Sequence, residues 1–363
     1  MRSSFSCCRT SSGEEEEEEE EEEPAWGPKH RVFTHEEIES ATSGFSASSL
    51  LGRGSHGCVF LASLDQGSLL AAAKLPSQSS ISSDSPSVAD AEIDLLSCLP
   101  RSPLLVNLVG ATPAAGPAPR IAVVDLMPQG SLHDLLHDRL RPAPPFPRRL
   151  RIALRSATAL AHLHSLCIAH RDVKPANLLL DAKGQPRLAD FGLAVRLPSQ
   201  DGHEAAVLPQ PAGTMGYLDP AYVHPEGVGT STDVYSFGVV LLEVLSGREA
   251  IDVEYSPPSL VDWARRLLEE ERYEETWDPR AAPEGRREKE AAKAMADVAG
   301  RCLAAIARER PSMAEVVAAL RGAERRMGSR GRRLARWAMR GRREGKPSHP
   351  LSGNRRVSDV AGS

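Results

Sequence analysis

Apolar residues follow a mixed, strand-rich rhythm early in this chain and a helical one later. The first regular pattern begins near Val32-Phe33. Thr34 and Glu37 have the spacing of a capping box, and Ile38, Ala41 and Phe45 follow at helical intervals, which predicts a short helix. From Leu50 the period shifts toward strands. Cys58-Val59-Phe60-Leu61 runs to a turn at Asp65-Gln66-Gly67, and an apolar stretch returns over Leu69 to Lys74. Val88 to Leu99 reads as a helix after the Ser-rich connection from Ser77 to Ser87. A Pro/Ala/Gly loop covers Thr112 to Pro119, and a Pro-rich joint covers Arg141 to Pro147. Beyond it the pattern is helical: Leu150 to His164, Thr232 to Leu245, Arg287 to Leu303 and Met313 to Leu320. A strand-rich first part followed by a larger helical part predicts an α+β chain of two lobes of different class.

Charge changes this picture at both ends. The chain of 363 residues has 44 Lys and Arg against 49 Asp and Glu, a formal net charge of −5. That near-balance hides ten consecutive glutamates at Glu14 to Glu23 and a net charge of +9 over residues 324–363. Residues 1–30 are therefore expected to be a disordered acidic arm, and 324–363 a basic disordered tail. The middle carries an ordinary balance that suggests no nucleic-acid partner. No apolar run reaches the length of about 18 residues that spans a bilayer, and the first 30 residues lack a secretory signal, an expectation against an ectodomain receptor. The cysteines, at positions 7, 8, 58, 98, 167 and 302, include no CxxC pair, which points to reduced thiols rather than zinc or redox chemistry. Cys7 and Cys8 are candidates for S-acylation, whereas Arg2 excludes myristoylation.

Gly52-Arg53-Gly54-Ser55-His56-Gly57-Cys58-Val59 is a GxGxxGxV loop, whose glycines let backbone approach phosphates. The same pattern occurs in dinucleotide folds, but there it opens a helix, and here a strand, a turn and a second strand follow. Lys74 ends an Ala-Ala-Ala-Lys run and is a candidate phosphate-pairing cation. Glu92 lies 18 residues on, in a helical pattern with Ile93, Leu95 and Leu96, and is preferred over Asp90 and Asp94 as its inward partner.

His170-Arg171-Asp172-Val173-Lys174-Pro175-Ala176-Asn177 is the most informative stretch, and Asp190-Phe191-Gly192 follows 18 residues after Asp172. Phosphoryl transfer needs a carboxylate to orient the attacking hydroxyl, a cation to offset developing charge, and oxygen ligands for Mg²⁺. Asp172, Lys174, and Asn177 with Asp190 match those needs in that order. Glycine loop, strand lysine, HRDxKxxN and DFG in one sequence are far more specific than any of them singly.

On these residues the chain resembles a eukaryotic protein kinase, and more narrowly a plant receptor-like cytoplasmic kinase. The narrower likeness rests on VFTHEEIESATSGFSASSLLGRG, MPQGSLHDLLH, GTMGYLDP, DVYSFGVVLLEVLSGR and RPSMAEVVAAL. The resemblance implies a two-lobed kinase fold over residues 31–323, with an antiparallel-sheet N-lobe at about 45–127 carrying one main helix and a larger helical C-lobe at about 128–323. It implies serine/threonine protein kinase activity with ATP and Mg²⁺. The ATP site would comprise Gly52, Arg53, Gly54, Ser55, His56, Gly57, Val59, Lys74, Glu92, Asp125 and Met127, the last two through backbone groups. Val124 would be the gatekeeper, and Leu96, Leu108, His170 and Phe191 a stacked spine anchored by Asp233. Thr214 would line the acceptor site.

Three departures from that pattern stand out. His56 replaces an aromatic at the loop tip. Ala221 replaces the acid after Pro220, so Arg310 is expected either to find another acid, Glu226 being one candidate, or to sit partly in water. Between Asp190 and Asp219 the hydroxyls before Tyr217 are Ser199 and Thr214, so Glu204 is a candidate permanent anion for Arg171. The alternative function is a nucleotide-binding pseudokinase scaffold for a receptor complex. The expected location is cytoplasmic. Cys7, Cys8 and the basic tail suggest peripheral contact with the plasma membrane, against nuclear import, calmodulin-like binding or a merely solvated arm. A protein substrate and a membrane receptor kinase are the expected partners.

Overall fold

The computed structural model describes residues 30–54, 57–77, 87–114, 119–198, 211–222 and 229–341, with side chains to 328. Ser55, His56, Cys7, Cys8, Ser199, Glu204 and Glu226, and both charged termini up to His30 and beyond Gly341, lie outside the described residues.

The chain enters through β1 (Arg31–Val32) and α1 (His35–Ala41). The capping box read from the sequence is formed: Thr34 Oγ1 accepts from the Glu37 amide at 3.1 Å, and Glu37 Oε2 accepts from the Thr34 amide at 2.7 Å. Strands β2 (Leu50–Gly54), β3 (Gly57–Leu64) and β4 (Leu69–Pro76) follow, then α2 (Val88–Cys98), β5 (Leu108–Ala111) and β6 (Ala122–Asp125). They form a sheet of order β1-β5-β6-β4-β3-β2, antiparallel except where β1 joins β5. The pairs β2–β3 and β3–β4 are the hairpins expected from the strand–turn–strand pattern.

One face of this sheet packs on α2, where Ala72, Ile93, Leu96, Leu108 and Val124 join the main core. The other face has its own small core of Phe33, Ile38, Ala62, Leu64, Ala71, Ala73, Ile121 and Val123, covered by α1 and the entry strand. Alternation along β3 and β4 supplies both faces, because successive side chains point to opposite sides.

The second lobe contains α3 (Leu132–His137), α4 (Phe146–Ser165), short strands β7 (Ile168–Ala169), β8 (Leu178–Leu180), β9 (Pro186–Leu188) and β10 (Val195–Arg196), and helices α5 (Thr230–Ser246), α6 (Leu260–Glu269), α7 (Gly285–Cys302) and α8 (Met313–Gly341). Helix α5 is buried along most of its length and is the axis on which α4, α6 and α7 pack. Two differences from the sequence pattern are informative. Helix α4 starts at Phe146 rather than Leu150, since Pro147 sits within the first turn, where its missing N–H costs nothing. Helix α8 continues beyond Leu320 to Gly341, so the expected boundary of the basic tail at residue 324 falls inside a helix. Arg, Ala, Met and Leu are strong helix formers, and they dominate that stretch.

Candidate active site

Strand β4 delivers Lys74 and α2 delivers Glu92. The Lys74 ammonium donates to both Glu92 carboxylate oxygens, at 2.6 and 2.7 Å, and to Asp190 Oδ1 at 3.1 Å. Burial works against the Lys74 charge, but Glu92 and then Asp190 outweigh it and raise its pKa, so the amine stays protonated. Of the three acids on α2, Glu92 is the one whose side chain is buried toward the sheet; Asp94 is exposed and pairs with Arg120. Glu92 Oε1 also accepts from the Phe191 amide at 3.2 Å, which ties α2 to the Asp190-Phe191-Gly192 turn.

Gly52, Arg53 and Gly54 lie exposed on β2, across from Val59, Cys58 and Gly57 of β3. Gly57 cannot be replaced without moving the hairpin. Its φ is +148°, and an added Cβ would stand 2.1 Å from the carbonyl oxygen of Leu75.

Val124 is buried on β6 opposite Ala72 and Leu108. The Asp125 amide donates to Asn107 O at 3.0 Å, so its backbone has only the carbonyl to offer a ligand. Its side chain has a role the sequence did not show. Asp125 Oδ2 accepts from Asn107 Nδ2 at 2.7 Å and from Arg187 Nη1 at 3.1 Å, and Oδ1 from Arg101 Nη2 at 3.2 Å. Met127, whose carbonyl accepts from Gly130 at 3.4 Å, follows on the segment between the lobes.

The loop after β7 brings the remaining groups together. Asp172, nine-tenths buried, accepts from Lys174 Nζ on Oδ2 at 2.7 Å, from Asn177 Nδ2 at 3.0 Å, and from Thr214 Oγ1 on Oδ1 at 2.6 Å. Lys174 Nζ also donates to Thr214 Oγ1 at 2.7 Å. Arg171 and Asp190 hold positive φ values of 69° and 66°, a conformation non-glycine residues adopt only when surroundings impose it. At Arg171 the imposing group is Asp233 of α5. Fully buried, it accepts from the His170 and Arg171 amides at 2.8 Å each and from His164 Nε2 at 2.8 Å. Burial pushes the Asp233 carboxyl up, yet His164 and His170 hold it below its ordinary value.

His170 and Phe191 meet edge to face at 5.3 Å, and Leu96 and Leu108 are buried in the same core. Arg171 donates to Leu193 O at 3.1 Å and to the Tyr222 hydroxyl at 2.8 Å.

Arg310 meets another acid, as the sequence leads one to expect, and among the described residues that acid is Asp219, the residue before Pro220. Nη2 donates to Asp219 Oδ1 at 2.8 Å, Nη1 donates to Oδ2, and Nε donates to Ala304 O at 2.8 Å. Asp219 points there because the turn to Tyr222 closes on it, with the Ala221 amide donating to Asp219 Oδ1 at 2.9 Å. Ala221 therefore leaves no buried charge unmet. Glu243 of α5, which no sequence pattern marks, is fully buried and accepts from the Tyr217 hydroxyl and from His137 Nε2 at 3.0 Å.

The sequence matches the protein kinase domain over residues 45–320. A serine/threonine-protein kinase-like protein of Arabidopsis thaliana is 41% identical over 302 residues, 81% of this chain and 63% of its own length. A second protein of that description from the same plant is 41% identical over 310 residues, 84% of this chain and 82% of its own. The proline-rich receptor-like protein kinase PERK1 of the same organism is 38% identical over 300 residues, which are 80% of this chain and 44% of the longer protein.

Proposed function

The chain belongs to the protein kinase family, as a serine/threonine kinase of the plant receptor-like cytoplasmic type, and on that premise we propose how its residues divide the work of phosphoryl transfer. Asp172 orients the acceptor hydroxyl of a protein Ser or Thr and receives its proton. Lys174, held between Asp172 and Thr214, faces the charge that builds on the transferred phosphoryl group. Lys74, fixed by Glu92, positions the ATP phosphates beneath the loop of Gly52, Arg53, Gly54, Ser55, His56 and Gly57, with Val59 against the base and the backbone of Asp125 and Met127 at its edge. The observation that carries this reading is the convergence of Lys174, Asn177 and Thr214 on one buried carboxylate while Lys74 joins Glu92 to Asp190.

Asn177 and Asp190 suit Mg²⁺. Both offer hard oxygen donors, and Asn177 turns its amide nitrogen to the carbonyl and carboxylate of Asp172, which leaves its oxygen for a cation. Held by Asn177 and Asp190, Mg²⁺ would supply positive charge that offsets the charge on the phosphates. The protein's own share is positioning and electrostatics, for which turnover in such enzymes is on the order of 1–100 s⁻¹.

No helix among the described residues is long and apolar enough to cross a membrane. We place the kinase in the cytoplasm, with a receptor kinase as partner and peripheral membrane contact through Cys7, Cys8 and the basic tail. The pairing of Arg310 by Asp219 removes the ground for a pseudokinase scaffold. The test is transfer of γ-phosphate from labelled ATP to itself and to a generic basic protein, with Asp190→Ala and Asp172→Asn alongside. Transfer by the native chain and by neither variant is expected. Equal transfer by the variants would sink the assignment.

A further inference from the structure

Helix α2 begins with a side-chain cap of its own, while at its end the Leu99 amide donates to Leu96 O at 3.3 Å. Ser87 caps its start, accepting from the Asp90 amide at 3.1 Å. Its last turn has no basic residue, and the C-cap, Leu99, is extended rather than a left-handed glycine. The final carbonyls of a helix have no partners within it. One of them, Ser97 O, is met from 67 positions earlier in the chain by His30 Nε2, which donates at 3.1 Å.

His30 does not reach that carbonyl by hanging from a loose end. Strand β1 follows it at once and pairs in parallel with β5, Arg31 opposite Gly110 and Val32 opposite Ala111. The Phe33 amide donates to Ala111 O at 3.1 Å, and the Phe33 ring is fully buried. The Arg31 guanidinium lies 4.5 Å from the Phe33 ring centre and 2.7 Å from Asp65. The approach of β1 to β5 is close enough to require glycine, since a Cβ at Gly110 would stand 2.0 Å from Arg31 O and 2.6 Å from the Phe33 ring. Below the junction His30, Leu96, Leu99 and Leu105 line a void of about 10 Å³, enough for at most a single water. The contact is packed, with no room for a ligand. Leu96 is one turn beyond Glu92 on the same helix face, so a shift at this end is passed to Glu92 through a rigid element.

We propose that His30, delivered by β1, is a positioning residue for the Lys74–Glu92 pair: it caps Ser97 O at the end of α2 and thereby sets where Glu92 holds Lys74. This rests on the roles given above to Lys74 and Glu92. It places a control point outside residues 45–320, the span matched by the protein kinase domain.

The test is steady-state kinetics and thermal melting of the full chain as His30→Ala, His30→Gln and Gly110→Ala, with Glu92→Gln as reference. His30→Ala is expected to raise the KM for ATP about threefold to tenfold, with a smaller loss of kcat and a nearly native Tm. His30→Gln keeps an N–H for Ser97 O and should stay near native. Gly110→Ala, which displaces β1, should reproduce the KM effect, and adding His30→Ala to it should add little. If Glu92→Gln raises KM while His30→Ala leaves it native, or lowers Tm alone, the clamp is wrong and the site assignment stands. If Glu92→Gln itself leaves both constants native, the assignment fails and the clamp fails with it.

Discussion

The Thr214 hydroxyl donates to Asp172 Oδ1 at 2.6 Å, while Lys174 Nζ bridges the two residues at 2.7 Å from each. The closed triangle fixes the orientation of Asp172 before an acceptor arrives. Thr214→Ala is expected to lower kcat about tenfold or more, leaving the KM for ATP unchanged, because misplacing a reacting group is costly. Thr214→Ser retains the hydroxyl and should restore most of the rate. An alanine variant with native kcat would remove Thr214 from the site.

Asp219 and Arg310 are each about one-hundredth exposed in their side chains. Removing one partner of such a pair leaves an uncompensated buried charge, at about 3–5 kcal/mol. Asp219→Asn should therefore lower the melting temperature by many degrees. Ala221→Glu should give no gain, since the arginine it would serve is already met. Calorimetry of the two variants decides both statements.

Burial pushes the Glu243 carboxyl above its ordinary value, against hydrogen bonds from His137 and Tyr217 that hold it down. A carboxyl raised in this way contributes stability that is fully present below its ordinary pKa and is lost as pH rises through the folded value. Tyr217→Phe takes away a donor to the charged form and raises it further. The variant is expected to cost about 1–3 kcal/mol at pH 8 and less at pH 5. Melting curves at the two pH values test this, and an equal loss at both would contradict it.

Cys302 is buried on α7, and desolvation pushes its thiol up to about 12. Its neutral form is favoured in the fold, so its contribution to stability is lost as pH rises from the ordinary thiol value of 9.0 to about 12. Cys98 and Cys167 are exposed. Iodoacetamide at pH 8 should label those two in the native protein and spare Cys302 until it unfolds. Mass spectrometry of the labelled peptides would show otherwise if the burial is wrong.

The candidate constellation is legible in sequence because its residues lie close together along the chain. Asp172, Lys174 and Asn177 lie within six residues, and the partners of Lys74 could be ranked by helical spacing alone. The structure brings Lys74 to Glu92 as that ranking anticipated. What the sequence concealed is long-range. Asp219 and Arg310 are 91 positions apart, and with Ala221 where the pattern puts an acid, nothing in the sequence singles out Asp219, at the start of the same turn, over a candidate such as Glu226. Asp125 was read for its backbone, yet its side chain collects Arg101, Asn107 and Arg187 from three separate segments. No periodicity announces such a meeting. The reach of α8 was missed for a different reason: its apolar stripe fades after Leu320, and only propensity argues for continuing.

The small core on the outer face of the sheet bears on how this protein can be handled. The match to the protein kinase domain begins at residue 45, but Phe33 and Ile38, both fully buried, precede it. A fragment begun at residue 45 would uncover Ala62, Ala71, Ala73, Ile121 and Val123 on one open sheet face. Such a face invites self-association. Insolubility or inactivity of that fragment would report on a misplaced cut and say nothing about whether the enzyme works.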